Sequence, residues 1–282
     1  METNGEVRSS FTDTDNALIF YRYRPAENER AQIVIAHGLG EHSGRYSQMM
    51  ERLSALGISS WAPDHRGHGR SSGRRGHIGA FADYIKDLDH MIRIARNEAA
   101  GALPCFFLGH SMGGLMVLNH GEKHPGVTDG IIASSPGLAP ARPVPKTKSA
   151  LGKCMSCLWP GLTLDNELDA CFISHDPDVV TSYERDPLVH HRVSARWFTE
   201  FMAAADETMD NAGSITVPVL LQVAGDDHLV KPEAAQKFAK ELSVEDKTLL
   251  LYEGLYHEIY NETADRREKV LTDLENWLTE RI

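Results

Sequence analysis

Cys105-Phe-Phe-Leu-Gly-His-Ser111-Met-Gly-Gly-Leu115 is the stretch that decides how this sequence is read. Residues 105–108 form a short apolar run of the kind a buried strand needs. Gly109-His110-Ser111-Met112-Gly113 is a turn, and residues 113–123 follow a helical pattern. A G-x-S-x-G turn between strand and helix holds its serine in a strained backbone conformation at the carboxyl end of the strand, with the hydroxyl exposed. Gly109 and Gly113 remove the Cβ atoms that would collide as strand and helix close together. Ser111 is therefore the candidate nucleophile, weighed against a purely structural serine turn.

Outward from this turn, short β-rich runs alternate with longer helical ones. Residues 17–23, 32–36, 58–63, 105–108, 130–134, 217–223 and 248–252 read as strands; 46–56, 81–98, 113–123, 233–242 and 266–280 read as helices. Apolar strands separated by amphipathic helices imply an α/β domain with a mainly parallel central sheet and helices on both faces. The alternation breaks between residues 137 and 213. That segment opens with the proline-rich residues 137–148, expected to lack regular structure. It continues through a short apolar stretch, 149–164, and then residues 184–205, expected to be helical. The expected organisation is a core of residues 1–136 and 214–282 carrying an inserted, mostly helical lid of residues 137–213, because connections this long in a compact domain usually have a task.

A serine hydroxyl attacks only when a base takes its proton. In the α/β-hydrolase fold, which the elbow and the alternation together imply, the partners follow in the order serine, acid, histidine. Residues 220–230, Leu-Leu-Gln-Val-Ala-Gly-Asp-Asp-His-Leu-Val, are a strand running into a turn. Catalytic groups gather at the carboxyl ends of parallel strands, so Asp226 and Asp227 both qualify by position. Asp227 is the preferred acid, with Asp226 free to cap the turn through its side chain. After the last strand, Glu253-Gly-Leu-Tyr-His257 supplies a loop histidine, and no other histidine lies beyond His228. His257 is the candidate base. Two backbone donors would face the oxyanion: the N–H of Met112, next to the nucleophile, and the N–H of Leu39 in Ala36-His-Gly-Leu-Gly40.

Composition narrows the partners. Of 282 residues, 41% are hydrophobic and 24% charged, as in an ordinary globular protein whose core needs no metal or disulfide staple. With 29 Lys and Arg against 40 Asp and Glu, the net charge of −11 repels phosphate backbones, so nucleic acid is not an expected partner. Residues 1–16 contain no apolar segment of signal-peptide type, and the longest apolar stretch, near 217–224, is too short to span a bilayer. The expectation is a soluble, cytoplasmic protein. Of the four cysteines, Cys154 and Cys157 form a C-x-x-C without a second pair and read as plain helical cysteines on one face. His65 and His68 lack the companions a metal site requires, so no metal is expected. His120, His124, His190 and His191 read as surface histidines. Nothing in the sequence sets an oligomeric state.

His37-Gly-Leu-Gly-Glu-His-Ser-Gly-Arg-Tyr46, Asp64-His-Arg-Gly-His-Gly-Arg-Ser71, the GHSMGG elbow and Tyr252-Glu-Gly-Leu-Tyr-His-Glu258 together resemble the monoacylglycerol lipases and related bacterial lysophospholipases. The resemblance runs from about Ala17 to Arg281 and is weakest in the lid. It implies a lipid ester with one acyl chain and a small polar head, hydrolysed without any cofactor. It also implies that Glu41 and Arg45 lie near the polar head, or else form a structural ion pair. Tyr260 stands where the mammalian enzymes carry a histidine, a departure at the head-group end. Leu151, Met155, Leu158 and Trp159 fall on one helical side, which would line an acyl tunnel, make transient contact with a membrane or micelle surface, or simply pack the lid. The expected chemistry is acyl-enzyme hydrolysis. Competing readings are a broader carboxylesterase or acyltransferase on the same site, and a non-enzymatic binding protein of the same fold. Epoxide hydrolases and dehalogenases would need aspartate at position 111.

Overall fold

The computed structural model describes residues 5–13, 15–99 and 101–282. In chain order the elements are β1 (Val7–Thr12), β2 (Leu18–Arg24), β3 (Ala31–Ala36), α1 (Ser47–Ala55), β4 (Ile58–Pro63), α2 (Phe81–Glu98), β5 (Cys105–His110), α3 (Met112–Lys123) and β6 (Gly130–Ser134). Then follow α4 (Lys146–Leu158), β7 (Thr163–Asp165), α5 (Pro177–Arg185), β8 (Arg192–Ser194), α6 (Ala195–Asp210), β9 (Val219–Ala224), α7 (Pro232–Glu241), β10 (Lys247–Tyr252) and α8 (Ala264–Thr279).

The main sheet has the order β1-β2-β4-β3-β5-β6-β9-β10. From β4 to β10 every pairing is parallel, while β1 pairs with β2 and β2 with β4 antiparallel. Alternation along the buried strands splits the core in two. Ile33, Ile35, Phe106, Leu108 and Leu220 face α1 and α8, packing on Met50, Leu53, Leu274 and Trp277. Val34, Ala36, Phe107, Ile131 and Leu221 face the other way, toward α2, α3 and α7, against Leu88, Leu115 and Phe238. Strands buried on both faces read as continuous apolar runs, which is why β3, β5, β6 and β9 were visible from the sequence.

Between β6 and β9 the chain adds no strand to the main sheet; β7 and β8 pair only with each other. This insert departs from expectation in two places. α4 begins inside the proline-rich tract, with Pro145 just before its first turn, where a missing N–H costs nothing. The helix expected over 184–205 is broken: α5 ends at Arg185, and the Asp186 side chain accepts from the Leu188 N–H in a turn through Pro187. The chain then passes through β8 before Ser194 caps α6 by accepting from the Trp197 N–H. β1 was not anticipated, because its half-exposed, mixed sequence carries no clean alternation. Nor is His120 a surface histidine: it is fully buried against Phe107, because α3 is enclosed on all sides. His190 is half-buried, its ring 4.7 Å from that of buried His68.

Candidate active site

The carboxyl ends of β3, β4, β5, β9 and β10 open onto one edge of the sheet, and each sends a loop there. Ser111 lies between β5 and α3 with φ 55° and ψ −115°, a backbone conformation that costs a non-glycine residue energy and that its surroundings must enforce. They do so through close packing. A Cβ on Gly113 would come within 2.1 Å of the Ala36 carbonyl oxygen, and one on Gly109 within 2.1 Å of the Gly113 carbonyl oxygen. The Ser111 N–H donates to the Ser134 carbonyl at 2.9 Å, and its carbonyl accepts from Gly137 and Leu115. The turn is thus pinned to β6 and to the start of the insert.

Asp227 and His257 meet across the loops after β9 and β10, with His257 Nδ1 2.7 Å from Asp227 Oδ2. The other carboxylate oxygen of Asp227 accepts from the Leu229 and Val230 N–H groups at 2.8 and 3.0 Å. One buried carboxylate therefore both caps its own turn and holds the imidazole. The turn-capping role expected of Asp226 belongs to Asp227; Asp226 is exposed and faces His228 at 3.2 Å. Burial would push the Asp227 carboxyl up, but the adjacent His257 and the turn N–H donors hold it below the usual aspartate range. Burial would likewise pull His257 down. The charge and hydrogen bond of Asp227 overcome this, helped by Glu258 and Glu41, and the imidazole sits above its ordinary value. The His110 ring, next to Ser111 in the turn, lies tilted with its centroid 4.7 Å from that of His257. Burial and that neighbour depress it to about 3, so it stays neutral at physiological pH.

The β3–α1 loop passes close to the nucleophile, since a Cβ on Gly38 would lie 3.3 Å from Ser111 Cβ. Half-buried Leu39 follows Gly38, and buried Met112 opens α3 on the other side of Ser111. The loop is braced by its neighbour after β4. His37 Nε2 accepts from the His65 N–H at 2.9 Å, and Asp64 accepts from the Ser43 N–H, the Ser43 hydroxyl and the Arg70 N–H.

Glu41 and Arg45 are not open charges. Arg45 grips Glu258 through two nitrogens at 2.5 and 2.7 Å and reaches Glu41 at 3.2 Å. Glu41 also accepts from the Gly38 N–H and the Tyr46 hydroxyl. Tyr260 turns inward and donates to Gln222. A cavity of about 320 Å³ adjoins this network, with Arg45, Tyr46, His110, Glu258, Tyr260 and Leu271 among its lining residues. Sequence reasoning missed Glu258 and Tyr183, whose ring lies 4.9 Å beneath the Arg45 guanidinium. Glu258 offered only its place after His257 at the end of the Tyr252–Glu258 run, with no sign of its partner.

The fold defines the class as an α/β-hydrolase, and comparison with known families gives the branch. The chain belongs to the serine aminopeptidase S33 family, matching it over residues 27–264, and is a serine hydrolase. It is 34% identical over 284 residues to the monoacylglycerol lipase of Mycolicibacterium smegmatis, covering 100% of both chains. It is 35% identical over 240 residues to a phospholipase of Bacillus subtilis, covering 84% of this chain and 91% of that one. The crystal structure of a monoacylglycerol lipase from Paleococcus ferrophilus matches with a TM-score of 0.87 at 36% identity, covering 94% of this chain and 99% of that one. Among the described residues, no helix is long and apolar enough to cross a membrane.

Proposed function

We propose that this chain hydrolyses lipid esters with a single acyl chain, monoacylglycerols first, through a Ser111–His257–Asp227 triad. The observation that carries the mechanism is the buried 2.7 Å pairing of Asp227 with His257 beside the strained Ser111 turn. His257 accepts the Ser111 proton as the hydroxyl attacks the ester carbonyl. The backbone N–H groups of Leu39 and Met112 stabilise the oxyanion. The alcohol leaves with the proton from His257, and water repeats the sequence on the acyl-enzyme. Asp227 fixes the imidazole tautomer and stabilises its cation. No step uses a metal or organic cofactor.

The substrate class rests on relatives named as monoacylglycerol lipases. Glu41 and Arg45 border the head-group end on the same resemblance. Their charged atoms already have protein partners, so they shape that end rather than offer it free charge. Residues 137–213 act as the lid. The phospholipase relative favours a second reading, in which a lysophospholipid is the preferred substrate.

Two experiments test this. Ser111→Ala should lower turnover about 10⁴–10⁶-fold and abolish labelling by a fluorophosphonate; a folded variant with near-wild-type turnover would sink the mechanism. A kinetic panel of monoacylglycerols, lysophospholipids and short soluble esters, run above and below substrate aggregation, ranks the substrates. Preference for short soluble esters alone would defeat the lipid assignment, and preference for lysophospholipids would select the second reading.

A further inference from the structure

The loops proposed to supply the oxyanion donor and the base leave β3 and β10, which are separated in the sheet by β5, β6 and β9. Sheet hydrogen bonding alone does not hold side chains of one loop in register with those of the other. The Arg45 side chain joins them. Arg45, in the β3–α1 loop, makes a two-pronged contact with Glu258, the residue after His257, and a third contact with Glu41 in its own loop. Glu41 in turn accepts from the Gly38 N–H, one residue before Leu39. The far side of Glu258 is fixed too: Asn261 donates to its carboxylate at 2.9 Å, and its N–H donates to the Ile173 carbonyl of the insert. The guanidinium also covers the Tyr183 ring of α5. Loops after β3 and β10 and the insert therefore meet on one buried cation.

Such a network is a poor choice for stability alone, since a well-packed apolar replacement is often as stable as a buried ion pair. What it provides is registry, because a planar fork matches a carboxylate in one orientation. We infer that Glu41, Arg45 and Glu258 form a positioning clamp: it sets the base loop against the oxyanion loop and holds the Glu258 carboxylate beside His257. The inference rests on the proposed roles of His257 and Leu39.

The charges facing His257 can be named from every side. Asp227 comes from the loop after β9, Glu258 from its own loop, and Glu41 with Arg45 from the β3–α1 loop. Neutral His110 lies on the elbow, and the insert contributes the Phe172 carbonyl, which accepts from the His257 N–H. Of the two clamp carboxylates, burial pushes Glu41 up. Arg45 holds Glu258 down in spite of its burial. Glu258 is the carboxylate that the Arg45 fork grips and the one next to His257, so it is the one to remove.

In the full chain, Glu258→Gln keeps the shape and deletes the charge. The expected result is a fall in kcat on a soluble ester of about 10²-fold, the scale of a small misplacement of catalytic groups, with KM moved less than about twofold. The acid limb of the kcat/KM profile should also shift to lower pH, since His257 loses a charge that favours its protonated form. Arg45→Lys retains the charge and loses the fork, so kcat should fall about tenfold while the acid limb stays in place. A folded Glu258→Gln protein with wild-type kcat and limb overturns the clamp. So does a loss of kcat with an unmoved limb, which marks a merely structural ion pair. If Glu258→Gln does not fold, Arg45→Lys decides alone, and wild-type kinetics there overturn the proposal. Fluorophosphonate labelling separates this from the underlying reading. Both clamp variants should still be labelled, more slowly, whereas labelling of Ser111→Ala would mean that the triad itself is wrong.

Discussion

α3 and α4 are helices of 12 and 13 residues that live in opposite surroundings. In α3 every residue from Met112 to Gly121 is buried between the sheet and its neighbouring helices. In α4 Ser156 alone is buried, while Leu151 and Leu158 stand 60% and 75% exposed, followed by Trp159 at 65% and Leu164 at 62%. α3 begins immediately after Ser111, so any freedom in it would move the proposed nucleophile, and enclosure on all sides is what a strained turn requires. α4 carries apolar surface to water that a finished core would have covered. The molecule thus combines a rigid end, which holds the proposed nucleophile, with an outer segment that leaves large apolar side chains exposed.

The rigid end should break sharply. Asp227→Asn keeps the shape of the buried turn but offers the imidazole the wrong partner, and should cost about 10⁴-fold in kcat. Asp226→Asn, on the exposed side of the same turn, should cost less than about twofold. Steady-state kinetics on a soluble ester measures both, and the reverse ranking would reassign the acid.

Glycines in the two helices sharpen the contrast in stability. Gly113→Ala drives a methyl into the Ala36 carbonyl, backbone against backbone, and should destabilise by more than about 4 kcal/mol, in the range reserved for severe core damage. Gly152→Ala in α4 meets only the edge of the Phe198 ring at 3.3 Å. The better helix propensity of alanine, worth about 0.5–1 kcal/mol, roughly offsets that contact. Urea unfolding of the pair gives the comparison directly. Equal losses would mean that α3 is not the constrained element.

The pH profile examines the same rigid end more gently. As the proposed base, His257 can accept a proton only when neutral, and Asp227 together with Glu258 and Glu41 keeps its proton on above the ordinary histidine value in spite of its burial. Activity should therefore be present at high pH and lost as pH falls through that raised value. Below the midpoint, kcat/KM should decline about tenfold per pH unit. A midpoint under 6.5, the ordinary value, would contradict the environment described for His257.

The same division explains what the sequence made legible. The parallel core strands and α2, α3, α7 and α8 announced themselves because burial on two faces or one imposes a period that survives in the residues. Chain order and the loop after each strand then located Ser111, Asp227 and His257, and the structure brings the last two into contact. The insert resisted because its elements are set by particular contacts rather than by a period. Pro187 and the Asp186 turn interrupt what reads as one helix, and α4 starts within prolines that look helix-averse. β1 is an edge strand with little to bury. Glu258 was invisible for a different reason. Its partner Arg45 is 213 positions away, and nothing local to a His-Glu pair says which way the carboxylate turns.

The smallest expected effect lies in the outer segment, and it depends on the state of the substrate. Leu158→Ser with Trp159→Ser removes two exposed apolar side chains and, because neither is buried, should change stability by less than about 0.5 kcal/mol. Turnover of a short, fully dissolved ester should stay within about twofold of wild type, since both side chains are mostly exposed. On monoacylglycerol above its aggregation point the rate should fall about tenfold or more, because burying even one such side chain in lipid is worth about 1.5–3 kcal/mol. Rates on dissolved and aggregated forms of one substrate separate the possibilities. An equal loss on both would place these residues along the acyl path instead. No loss on either would mean that this face of α4 meets neither substrate nor lipid, and the contrast between the two helices would then be one of packing alone.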